Sequence, residues 1–121
     1  MGGEFLGQMI VAVVMAAGGV LLIWQGWAAA SGRLTRNSVA GIRTASTMAS
    51  DEAWLAAHQR AKTPTVVAGA LSIAAALVVL LPVPSGVFVA AVLVSALLDV
   101  VLVLWGAVVG VRAARAVVTD G

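Results

Sequence analysis

Cysteine is absent from this chain of 121 residues, and only 10% of its side chains are charged. Without thiols there is no disulfide framework, no thiolate nucleophile and no cysteine-ligated metal. A soluble domain carries about 25% charged residues. The deficit, together with 62% hydrophobic residues and a mean hydropathy of +1.10, places the chain among membrane proteins. Histidine occurs once, at His58. A zinc site needs three or four ligands of suitable type, so no metal site is expected. No general acid–base pair, nucleophile triad or phosphate loop is visible. Gly18-Gly19 lies within an apolar run, where it cannot cradle a nucleotide. Neither a catalytic residue nor a cofactor is expected.

What the chain does contain is apolar runs. The first, Phe5 to Ala30, is broken only by Gln8 and Gln25. A spanning helix needs about 20 residues at roughly 1.5 Å each, so a first transmembrane helix is expected over 5–30. A signal peptide is disfavoured: only Glu4 is charged before the run, and the run exceeds the usual h-region. Trp24 and Trp27 mark one membrane boundary, because indole rings favour the headgroup level. Pro64 suits the first turn of a helix, and a second span is expected over 64–81, apolar apart from Ser72. Pro82 to Gly86 reads as a tight turn. The third span, 87–111, contains Ser95 and Asp99 and is followed by Arg112 and Arg115, with a frayed tail to Gly121.

Between the first two spans, residues 31–63 form the one long polar segment. Its first part, rich in Ser, Thr and Gly, reads as a structured loop. In its second part Ser50 can cap a short helix with Asp51 and Glu52 in the first turn. Trp54, Leu55, His58 and Ala61 recur at helical spacing, which predicts an amphipathic helix over 50–62 lying in the membrane interface with Trp54 toward lipid. The fold expected is one all-α membrane domain of three transmembrane helices and this interfacial helix. All seven basic residues (Arg33, Arg36, Arg43, Arg60, Lys62, Arg112 and Arg115) fall on one side of that layout. Cytoplasmic loops are enriched in such residues, so the loop and C-terminus are expected in the cytoplasm and the N-terminus outside. The basicity is explained by topology and implies no nucleic-acid partner.

Asn37, then Gly41-Ile42-Arg43-Thr44, Thr47, and Trp54 with His58 four residues on, resemble the signature of the SdpI family of bacterial membrane proteins. Ala45 stands where that pattern commonly has Pro. The resemblance implies a single three-helix SdpI-like module in a bacterial plasma membrane. It also implies a non-enzymatic protein acting by binding, through immunity, sequestration or an accessory role in a membrane complex. The expected partners are the bilayer and another membrane protein, a membrane-active peptide or further copies of the chain.

The motif residues Asn37, Gly41, Arg43, Thr44, Trp54 and His58 are the candidate binding set. Arg43 can grip a phosphate, carboxylate or carbonyl, or simply meet a lipid headgroup. Gly41 reads as a position of positive φ or of close backbone approach, and Asn37 as a turn former. His58, one turn after Trp54, reads as its packing partner, with a pH-sensing role as the alternative. Asp99 lies at the middle of the third run, where a charge costs roughly 2.5–3.5 kcal/mol. Ser95, Asp99, Gly106 and Gly110 share a helical stripe, and Gly106-x-x-x-Gly110 is a close-packing pattern. With Ser72 on the second span, these predict a polar point in the membrane. That point is structural, a contact for a partner helix, or the site of a rival function, an oligomeric proton- or cation-coupled transporter or channel. An enzyme acting on lipid would need Arg43 and His58 to work with Asp51 or Glu52, and is the weakest reading.

Overall fold

The computed structural model describes residues 2–120, which form three α-helices: α1 (Gly2–Ala30), α2 (Asp51–Leu80) and α3 (Ser85–Asp120). All three are long and apolar enough to cross a membrane. Their exteriors carry exposed Leu, Ile and Val along their length, including Leu6, Val14, Leu77, Leu93, Leu97 and Leu104. Water would penalise that surface; lipid does not.

α2 is the central element. It packs against α1 on one side and α3 on the other, while the backbones of α1 and α3 do not approach each other. Small residues make both seams. At Gly19 an added Cβ would lie 2.5 Å from the Gly69 carbonyl oxygen, and one at Gly69 would lie 2.5 Å from that of Gly19. On the other seam, Gly106 faces Pro64 and Ala61, and Gly110 faces the Ala57 backbone. The Gly106–Gly110 stripe is thus the surface on which α2 rests. Without a hydrophobic drive between helices in lipid, this close approach supplies dispersion contacts instead. Near the other end, Ala12, Ala76 and Val79 form a buried cluster packed by Met15 and Phe88.

No separate interfacial helix precedes α2. Residues 51–62 are its first turns, and the helix runs on through Pro64. Proline lacks the N–H that would bond the Arg60 carbonyl, but packing of its ring on Gly106 accompanies an unbroken helix. α3 likewise does not end near Val111. It continues to Asp120, in place of the frayed tail expected from the sequence, because Ala114 is buried with Ala53 and Ala57 of α2 and Val117 packs on them.

The seams also fix depth. Gly26 faces Thr65 and Val66, and Gly106 faces Pro64, so Trp27 and Trp105 share the level of Pro64–Thr65. Lys62 caps that level, its Nζ 3.4 Å from the centre of the Trp27 ring. Both indoles are more than half exposed, the arrangement of an aromatic belt. Residues 64–80 then span about 25 Å of apolar slab. The first turns of α2, with Asp51, Glu52, His58, Gln59 and Arg60, stand outside it.

Candidate functional site

Outside the slab, the loop between α1 and α2 folds back over the start of α2. Gly32 (φ +83°) ends α1, and the Leu34 N–H returns to the Ala28 carbonyl at 2.9 Å. Asn37 then builds a turn with its own side chain. Its Oδ1 accepts the N–H groups of Val39 (2.9 Å) and Ala40 (2.8 Å), and its Nδ2 donates to the Thr35 carbonyl at 2.8 Å. Thr44 and Thr47 cap each other. The Thr44 N–H donates to Thr47 Oγ1 at 2.9 Å, and the Thr47 N–H donates to Thr44 Oγ1 at 3.2 Å. The Thr47 hydroxyl, fully buried, donates to the Ile42 carbonyl at 2.6 Å. Ser50 caps α2 by accepting the Ala53 N–H.

Trp54 and His58 anchor this loop. Both are 2% exposed. The Trp54 indole N–H donates to the Leu34 carbonyl at 2.8 Å, and its ring lies 4.1 Å from that of His58. Trp54 therefore faces protein and not lipid, against the expectation from helical spacing. His58 Nε2 accepts the Ile42 N–H at 2.9 Å. That fixes the tautomer: Nδ1 carries the proton and donates to the Trp54 carbonyl at 2.7 Å. Burial holds the imidazole below the usual histidine value, partly opposed by the Trp54 bond, which favours the charged form. Gly41 (φ +98°) lies against the pair, where an added Cβ would be 2.7 Å from Trp54 and 2.8 Å from His58 Nε2. Both readings of this glycine apply at once.

Arg43 is on the rim. Its Nε donates to the Asn37 carbonyl at 2.8 Å, which holds the side chain across the turn while the residue stays exposed. No motif or spacing points to the part taken by Arg36. It ties the loop to α2 through Nε to Asp51 Oδ1 at 2.8 Å and Nη1 to the Met48 carbonyl at 2.9 Å. α3 completes the enclosure, with Ile42 against Gly110 and the Arg115 Nε donating to Ser46 Oγ at 3.4 Å. Among the described residues no cluster of His, Cys, Asp or Glu could hold a metal ion.

A second polar point lies in the slab. Ser72 Oγ donates to Asp99 Oδ2, and Asp99 Oδ1 is buried without a hydrogen-bond partner. Ser72 is midway along residues 64–80, level with Gly19. Ser95 is buried on the same helix as Asp99, but its hydroxyl donates to the Val92 carbonyl at 3.1 Å. The structure thus joins Ser72 to Asp99 and leaves Ser95 bonded to its own helix.

Three spanning helices, with a polar loop locked over a buried Trp–His pair at one end, define a small multi-pass membrane protein. The model of the SdpI/YfhL protein family matches residues 33–111, covering the loop, all of α2 and most of α3, and the chain belongs to that family. No curated protein and no solved structure matches it.

Proposed function

We propose that the chain is a non-enzymatic, immunity-type protein of the bacterial plasma membrane that works by binding a membrane protein or membrane-active peptide at its loop face. The loop and C-terminus are cytoplasmic and the N-terminus external, because all seven basic residues lie at the loop end. One observation carries the reading. The polar groups of Asn37, Thr47, Trp54 and His58 are engaged inside the loop, whereas the exposed Arg43 commits its Nε inward. The site is therefore a rigid platform that presents the guanidinium. Both His58 nitrogens are occupied, so that ring is poorly placed to act as a base.

The test is affinity purification of wild type and Arg43→Gln from native membranes in mild detergent, after brief crosslinking. A partner recovered with wild type should fall about tenfold with Arg43→Gln, as expected for loss of a charge-assisted pair, while helicity is unchanged. Equal recovery by both would sink the reading.

The buried, unpartnered Asp99 Oδ1 favours a second reading, a proton- or cation-coupled pathway. Three helices do not readily enclose a pathway, so this requires an oligomer. Liposome flux that survives Asp99→Asn would exclude it.

A further inference from the structure

A groove of about 510 Å³ runs between α2 and α3 at the aromatic-belt level. Its mouth holds Arg60, Thr63 and Val109; its walls are Pro64, Val67, Leu102 and Trp105. We infer that this groove binds one anionic phospholipid, with the phosphate on Arg60 and an acyl chain along Val67 and Leu102. Three observations converge on that ligand. Arg60 is exposed and enters no ion pair among the described residues, so its charge at the mouth is uncompensated. The level of Pro64 and Trp105 is where phosphates meet hydrocarbon, as the Lys62–Trp27 contact on the opposite seam also marks. Below that level the walls become aliphatic within about two helical turns, which suits a chain and not a soluble anion. The cationic mouth selects the headgroup, because an arginine near the surface attracts anionic lipid and forms charge-assisted bonds with phosphate. Trp105, more than half exposed, can turn its indole N–H to an ester carbonyl.

The test is native mass spectrometry of the full chain in detergent with equimolar dioleoyl phosphatidylglycerol and dioleoyl phosphatidylcholine. Wild type should retain one phosphatidylglycerol in about fivefold preference, the factor for one basic residue at an anionic surface. Arg60→Gln should lose the preference but still bind lipid. Arg112→Gln, exposed at the same end and outside the groove lining, should keep it. Val67→Trp should fill the groove and lose both lipids; if it does not fold by circular dichroism, Leu102→Trp from the opposite wall replaces it. Equal retention of the two lipids by wild type would overturn the proposal. So would a preference that survives Arg60→Gln, an equal loss in Arg112→Gln, or lipid binding that persists in the filled groove. A dimer that the filling variant abolishes would assign the groove to a second copy and overturn it equally.

Discussion

His58 Nε2 accepts the backbone N–H of Ile42 at 2.9 Å, across sixteen residues of sequence. The loop is held to α2 by a bond that only the neutral imidazole can accept. Protonation would set a donor against a donor in a buried place.

Stability should accordingly depend on pH through His58. Its folded value lies below the unfolded value of about 6.5. The unfolded chain therefore binds the proton first as pH falls, and stability is full above about 6.5 and declines below it. Thermal melts in detergent should be flat from pH 7 to 8 and fall between about pH 6.5 and 5, above the carboxylate range. His58→Gln should be less stable at pH 7.5 but lose that slope. A slope unchanged in His58→Gln would place the titration elsewhere.

Gly41→Ala should destabilise the loop by about 2 kcal/mol. A left-handed residue with a Cβ costs roughly 1–2 kcal/mol, and the added atom also meets Trp54 at 2.7 Å. The cost should show as a lower melting temperature together with red-shifted Trp54 emission in a chain whose other tryptophans are Phe. Unchanged emission would mean that the loop does not clamp the indole.

Thr47→Val keeps shape but removes the hydroxyl that accepts from Thr44 and donates to Ile42. Two partly buried backbone groups then lose partners, at about 1–3 kcal/mol. Hydrogen exchange at the Thr44 amide should accelerate in step. A stability equal to wild type would show that water replaces the hydroxyl.

Asp99 separates two roles. Asp99→Asn should fold, because an amide can still accept from Ser72. Asp99→Leu should weaken assembly, since it strands the Ser72 hydroxyl in the slab and adds bulk to a packed face. Melts of the three proteins decide this. A Leu variant as stable as wild type would refute a packed polar contact.

Much of this fold was legible because lipid makes sequence rules strict. Three runs of apolar residues had to be helices. Asp99 had to face protein, and Gly106 with Gly110 had to mark a seam. The family motif was readable, as was the role of Gly41. The placement of Trp54 was not. Aromatic spacing on a half-apolar helix has the same appearance whether lipid or a loop covers it, and here the cover comes from Leu34 and Ile42, far upstream. Arg36 was hidden for the same reason, since its bonds to Asp51 and Met48 exist only once the loop closes. Arg112 and Arg115 signal the end of a span, and a frayed tail after them is the natural reading, but Ala114 and Val117 carry the helical packing on past them.

The central place of α2 makes the energetics modular. Gly19 and Gly106 lie on opposite sides of one helix, and the backbones of the helices bearing them do not approach each other; α1 and α3 meet only through side chains around Ala12 and Phe88, near the other end. Replacing either glycine by Leu should cost about 1–3 kcal/mol through overpacking. The two losses should add in the double variant to within about 0.5 kcal/mol, as for independent sites. A thermodynamic cycle on detergent melts measures this, and a larger coupling would mean that strain passes through α2. With additive seams, the glycine stretches of α1 and α3 can drift in sequence separately, each constrained by the face of α2 it touches, while the shared cluster at Ala12 and Phe88 ties the two helices at one end.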